Sequence, residues 1–483
     1  MNRKKLRAVG IVLGLIVVAL AGMLPRSVQA KPQGYTFTPL AFLGDPAPGG
    51  GVFTNDFEGN AISHRGDVFF GADLATAAGG VFIGEGLFFV QRGQIVPIAR
   101  PGQSAPGGGV FDGAFLGPIA LNDGGDMAFS FILDPFTLPF GVHAGVYRFS
   151  HSAHTLSAVV VPDVTPAPGG GTFAGAAATV LNNQGDIAFS GIFPTPNGIH
   201  VSGEAYIGLG SGLFLADRKS QIFGVVLPGD PAPGGGMFDS TFGSSINAKG
   251  DIAFGAHVAG EECITADKQS NAIFCGESLF VRAATTGEIQ SIAHQGDPAP
   301  GGGVFRHAFG PVLNSQGDLV FLGDLTTEDP ATPELDFNKV LGVYLHSKGN
   351  TLRVAGPGDL MPGGGHFITA SFIVNHIYLN NPGDVVFSAV LDTDVDADHV
   401  LDTGLFVWSH GSLRLVVRTG TFIPGVGTID RLAFFASPLP PPGGVNAQPA
   451  LSGSAIINDR GQILFGGTLE GERGVLLVAT PSP

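Results

Sequence analysis

Two groups of residues in this 483-residue chain have the types and spacing to do chemistry. The first is a run of alternating acids, Asp392, Asp394, Asp396 and Asp398, with Asp402 close behind. Alternate carboxylates in a loop bring several hard oxygens together, which is what calcium requires. Measured against an EF-hand loop starting at Asp392, the first, third, fifth and seventh positions fit. Ala397 stands where the turn glycine belongs and Thr403 where the bidentate acid belongs, so this is not an EF-hand. Two readings stay open: a loop-stabilising calcium held by Asp392, Asp394, Asp396 and Asp398, or a solvated acidic loop. The second group is Asp112, Asp239, Arg306, His307, His366 and Asp430, polar residues of mixed charge near a recurring Gly-x-Phe step. Together they could hold a polar ligand, and Asp112, Asp239, His366 and Asp430 could serve as acid and base groups. The sequence has no nucleophile elbow, Cys–His pair, phosphate loop or paired-histidine metal motif, so no catalytic residue is assigned.

Whether these residues meet depends on the elements that carry them, and those elements repeat. Seven times a polar residue, two variable residues and a glycine precede an apolar strand with phenylalanine at its fourth position. The polar residues are Ser63, Asn122, Asn182, Asn247, Asn314, Asn380 and Asn458; the glycines are Gly66, Gly125, Gly185, Gly250, Gly317, Gly383 and Gly461. Asn or Ser first and Gly fourth is the composition of a type I turn. A Pro-Gly-Gly-Gly-x-Phe element opens most units, and a variable loop leads to a third strand such as Gly212-Leu213-Phe214. A short polar turn and a fourth strand complete the unit.

Four antiparallel strands per unit describe a β-propeller blade, and seven units give a single all-β, seven-bladed propeller over residues 31–483. The seventh unit lacks a fourth strand, while Phe37 to Leu43 stands before the first unit without a sheet of its own. An amino-terminal strand completing the last blade is therefore expected, because it would leave no open edge. On this frame the loops joining second to third strands share one rim with the connections between blades. The Asn-x-x-Gly turns share the other. The second-to-third loops hold 15, 15, 22, 23, 20, 16 and 8 residues, which makes that rim the expected binding face. Asp112, Asp239, Arg306, His307, His366 and Asp430 fall at the mouth of the central channel on it. The Gly-Asp-Pro aspartates Asp45, Asp230, Asp297 and Asp359, replaced by Gln103, Thr165 and Thr421 in other units, read as turn caps.

The repeats resemble bacterial exported tandem-repeat proteins that carry an Asn-x-x-Gly-x-x-Ala-Phe motif. Asn122 to Phe129, Asn182 to Phe189 and Asn247 to Phe254 match it at every specified position. The resemblance implies a secreted or surface-exposed protein and brings no catalytic residues with it. Such proteins often bear a carboxy-terminal sorting anchor. Gly474 to Pro483 offers no apolar tail, which favours a released or periplasmic protein, or one held by an uncleaved amino-terminal segment.

The bulk numbers agree with export. Arg3, Lys4, Lys5 and Arg7, the 17-residue apolar run Ala8 to Leu24, and Val28-Gln29-Ala30 read as a signal peptide over residues 1–30. Its removal leaves 19 basic against 40 acidic residues, a net charge of −21, which excludes nucleic acid as a natural partner. Cys263 and Cys275 share one loop and read as a disulfide in an oxidising compartment, worth about 3 kcal/mol at most. Two functions follow: a non-catalytic scaffold binding a protein or envelope polymer through its long-loop face, or an extracellular hydrolase or lyase. With one tryptophan and five tyrosines, the chain has few side chains suited to stacking on sugars.

Overall fold

The Asn-x-x-Gly segments fold as one capped turn, repeated. At Asn182 the side-chain Oδ1 accepts the backbone N–H of Gln184 at 3.0 Å and of Asp186 at 2.8 Å. Gly185 donates its N–H to the Asn182 carbonyl at 3.1 Å and has a φ of +87°, where a side chain would be strained. Ser63 performs the same service with its hydroxyl, which accepts from Arg65 and Asp67. The second strand leaves each turn directly.

In the computed structural model the described residues are 34–482, apart from 79, 92, 116–117, 135–142, 195–208, 262, 266–272, 276, 326–339, 371–376, 396–400, 433–454 and 472. The expected signal peptide at 1–30, and Asp396 and Asp398, lie outside them. All regular elements described are strands, arranged as seven small sheets in a ring: a seven-bladed β-propeller. Among the described residues no helix is long and apolar enough to cross a membrane.

Blade one shows the order: Val52–Ile62, Val68–Ala75, Phe82–Gln91 and Gln94–Ala99, each antiparallel to the one before. In the sheet of the seventh repeat, Gly427–Leu432 pairs with Ile463–Leu469, which pairs with Arg473–Pro481. Tyr35–Phe42 lies antiparallel to that last strand, with Tyr35 opposite Pro481 and Phe42 opposite Val475.

Blades one to six each carry an aromatic trio on their inner three strands, whereas in blade seven Ile429 and Leu477 accompany Phe465. In blade four, Phe238 meets Phe280 edge-on at 5.0 Å and Phe254 stacks on Phe280 at 5.6 Å, against Ala188 and Leu213 of blade three. Blade five repeats the trio with Phe305, Phe321 and Tyr344. The Tyr344 hydroxyl there has no hydrogen-bond partner among the described residues, and burial pushes its pKa up to about 12.

The motif asparagines also join blades. Asn247 Nδ2 donates to the Asn314 carbonyl, Asn314 to Asn380, Asn380 to Asn458, and Asn458 to Ser63, at 3.2, 3.4, 3.1 and 2.9 Å. One buried side chain thus caps its own turn and holds the next blade. Asn380→Ala is expected to cost about 2 kcal/mol by orphaning both the Asp384 N–H and the Asn458 carbonyl. A denaturant midpoint checks this; Ser315→Ala, one position after a motif asparagine, should change little.

Candidate functional site

At the loop rim, in six of the seven blade-to-blade connections, the entering residue donates its N–H to a side chain within that connection. Phe42, Leu227, His294 and Gly356 donate to Asp45, Asp230, Asp297 and Asp359; Val161 and Arg418 donate to Thr165 and Thr421. Aspartate and threonine both cap here, as their residue types imply. These aspartates are structural.

The six ligand candidates stand on this rim but are not equivalent. Asp112 is exposed. Asp239 binds His257 Nδ1 of the neighbouring strand at 2.7 Å, and His366 Nδ1 meets Asp392 at 2.9 Å. Asp430 lies 3.4 Å from Arg431. Arg306 is half-buried, and its N–H goes to the Asp324 carbonyl at 2.8 Å. His307 is buried, opposite the buried Asp324 in register. The recorded pairings of Asp239, His366 and Asp430 each stay inside one blade.

Of the alternating acids, Asp392 and Asp394 are exposed, whereas Asp402 points inward. Asp392 accepts the His366 N–H at 2.6 Å, and this bond, with that to the ring, holds its carboxyl below the usual range. Asp402 takes the Arg418 guanidinium at 2.7 Å with no side-chain exposure, so this acid belongs to a buried ion pair. A different carboxylate group could hold a hard cation: Glu58, Asp73 and Glu85 of blade one bring ligand oxygens within 4.8 Å of one another. Burial raises the Asp73 pKa, against the pull of a 2.8 Å hydrogen bond from Asn55. In blade four a small hairpin sets Cys263 opposite Cys275 in register.

A cavity also opens at the turn rim, lined from all seven blades. Its floor is an apolar collar formed by the residue before each motif position, such as Ile62, Leu181, Leu313 and Ile457. Asp123, Asp459 and His64 stand at its lip, and Tyr378 lines both the mouth and the channel below. Burial raises the Tyr378 pKa, and the Asp459 and Asp123 carboxylates raise it further. The lip carboxylates are already engaged: Asn183 Nδ2 donates to Asp123, and Asn381 Nδ2 donates to Asp459 at 2.8 Å.

A family model matches residues 30–283 and again 277–477, nearly the whole chain. The chain belongs to DUF7453, a family of unknown function. No curated protein matches it. Among solved structures, the polysaccharide lyase Uly1 is 10% identical with a TM-score of 0.47, over 94% of this chain and all of that one. A puromycin-hydrolyzing peptidase of Mycobacterium tuberculosis is 11% identical with a TM-score of 0.46, over 91% of this chain and 53% of the peptidase. The Trypanosoma rangeli sialidase is 8% identical with a TM-score of 0.36, over 94% of this chain and 58% of the sialidase. The chain thus spans about half the length of the peptidase and the sialidase. At these values the likeness carries no functional argument.

In this DUF7453 member a connected polar group surrounds the candidate Asp239, and sequence reasoning missed its other members. Around Asp239 and His257, Glu261 accepts the Ser278 hydroxyl at 2.7 Å and the Val258 N–H at 3.1 Å, and meets His294 Nδ1 at 3.2 Å. The signal was a histidine and a glutamate in or beside a fully buried strand, Ile252–Val258, where each needs a partner. Burial opposes the charged His257, but the hydrogen bond and charge of Asp239 outweigh it and its pKa rises. The His294 pKa rises through its bond to Glu261. Burial pushes Glu261 up, yet its bonds to His294, Ser278 and Val258 bring it below 4.5. The histidine contribution is complete below 6.5 and lost as pH climbs through the raised values; the glutamate contribution is complete above 4.5 and lost on acidification. Melting temperature should therefore fall as pH rises above 6.5, and His294→Gln should flatten that slope.

Proposed function

We propose that this DUF7453 member is an exported, non-catalytic binding scaffold whose partner docks on the loop rim. The observation that carries this reading is where exposed apolar side chains stand. Of twelve exposed large apolar residues among those described, nine are at the loop rim, including Phe82, Met237, Val304, Leu360 and Phe422. The other three, Val96, Phe223 and Leu352, lie on fourth strands along the outer wall, and the turn rim has none. Apolar groups concentrated on one face of a soluble frame mark an interaction surface. The frame beneath them is uniform while its loops differ in length, which suits recognition. The partner is a protein or an envelope polymer. A calcium ion in the acidic loop from Asp392, and a Cys263–Cys275 disulfide, would steady loops on the docking face.

The test is capture of cell-envelope material, with and without calcium, by the wild type, by Phe82→Asp/Leu360→Asp, and by Arg65→Glu on the turn rim. Wild type and Arg65→Glu should retain the same material, and the double variant should lose it. Retention by the double variant, or no retention by any form, would count against the reading. Alkylation without reductant should leave both cysteines unmodified.

A further inference from the structure

The loop rim carries, within its own fold, a pattern for the chemistry of what docks there. In blade one the Arg100 guanidinium lies in the opening Pro-Gly-Gly-Gly turn, donating to the carbonyls of Pro48 and, at 2.7 Å, of Gly50. In blade six Arg418 does the same to Gly363 and Gly364, at 2.7 and 3.1 Å. In blade five Arg353 lies against Gly301 so closely that a Cβ there would be 2.8 Å from its Cζ. Three successive glycines with positive φ present a bare backbone, so a flat, charged group can approach its carbonyls.

Blade three has the same turn without the cation. Gly169, Gly170 and Gly171 have φ of +103°, +111° and +73°, against +89°, +107° and +78° in blade one. Leu227 takes the place of Arg100: it too opens the connection out of its blade, giving its N–H to Asp230. Among the described residues nothing lies within 4 Å of a Cβ built at Gly169 or Gly170. Among the described residues the Pro168 and Gly170 carbonyls accept no hydrogen bond. The same turn bears the exposed Val164 and the exposed Asp163 carboxylate.

Resting on the rim reading above, we propose that the opening turn of blade three receives an arginine side chain from a basic, apolar-bearing polypeptide partner. Charge favours this occupant: the chain carries −16, exposed Asp112, Asp163, Asp392 and Asp394 stand on the rim, and Arg100, Arg353 and Arg418 there are tied into turns or ion pairs. Geometry favours guanidinium over ammonium, because its rigid planar fork lies flat against the bare turn and presents its N–H donors to the carbonyls without further ordering, as in blade one. The exposed apolar side chains would cover the apolar residues between the partner's arginines.

Fluorescence anisotropy with a labelled peptide alternating Arg and Phe, and with counterparts carrying Lys or Glu for Arg, tests the proposal. Leu227→Arg supplies the turn with the chain's own guanidinium and should weaken the Arg peptide at least tenfold. Phe223→Arg puts the same charge on the outer wall of the same blade and should change binding less than twofold. The Lys peptide should bind at least fivefold more weakly than the Arg peptide, and the Glu peptide not at all. Arg100→Leu opens the equivalent turn of blade one and should add one bound peptide, a readout that holds if Leu227→Arg fails to fold. Equal weakening by Leu227→Arg and Phe223→Arg would show a charge effect only and overturn the proposal, as would no weakening by Leu227→Arg or no added peptide with Arg100→Leu. Envelope material lost by Phe82→Asp/Leu360→Asp but kept by Leu227→Arg would overturn this site alone. Material kept by that double variant would overturn the rim reading itself.

Discussion

A chain begun at Gly44 is expected to lose most of its stability, melting at least 10 °C below the full protein or failing to fold. Deleting residues 34–43 removes the partner of Arg473–Pro481 along seven register pairs, from Tyr35–Pro481 to Phe42–Val475. It also removes the Leu43 N–H donated to Gly474 at 2.9 Å, the edge-on contact of Phe37 with Phe465, and the Phe42 ring under Arg473. The half-buried Tyr35, Phe37, Leu40 and Phe42 contribute on the order of 1 kcal/mol each through burial. The buried Val475, Leu476 and Leu477 would then lie on an open edge, which invites pairing between molecules. A synthetic peptide of residues 34–43 should restore the melting temperature in a concentration-dependent way, because it binds only the folded frame. A truncated chain melting within 2–3 °C of the full one, with no response to the peptide, would show that this strand contributes little.

The fold could be read from the sequence because its signals are local and repeated. An asparagine, a glycine three places on and four apolar residues specify a turn and a strand without reference to anything distant. Seven copies turn a weak pattern into a ring. The capping role of Asp45, Asp230, Asp297 and Asp359 was readable for the same reason, since donor and acceptor lie three residues apart. The polar chemistry of the rim was not local. His257 reaches Asp239 across strands, 18 residues away, and Glu261 meets His294 at 33 residues' distance. Asp402 sat in a run of alternating acids and looked like its neighbours. Its partner Arg418 belongs to the fourth strand, which register places beside the start of the third, Gly404 opposite Arg418. A histidine at 307 was expected at the solvent-facing mouth; it is buried because its strand position falls on the packed face beside Asp324.

Arg418→Met should be the most costly single substitution among the charged residues of the rim, by about 3–5 kcal/mol. The guanidinium has 6% and the Asp402 carboxylate 0% of its side chain exposed, so removing one charge strands the other in a dry site. Three further acceptors lose their donor, the carbonyls of Gly363 and Gly364 and the Thr393 hydroxyl. Adding Asp402→Asn removes the stranded charge, and the Arg418→Met/Asp402→Asn pair should recover at least half of the lost stability in a denaturant titration. Arg353 and Asp359 provide the comparison within the same fold. Their guanidinium and carboxylate meet at 2.6 Å but remain 28% and 34% exposed, so water screens the pair. Arg353→Met should cost no more than about 1 kcal/mol, and adding Asp359→Asn to it should recover nothing. If the two single variants cost the same, desolvation is not what separates these pairs. The stabilising role of Arg418 would then lie in its bonds to the glycine turn, the same bonds that a docking arginine would make in blade three.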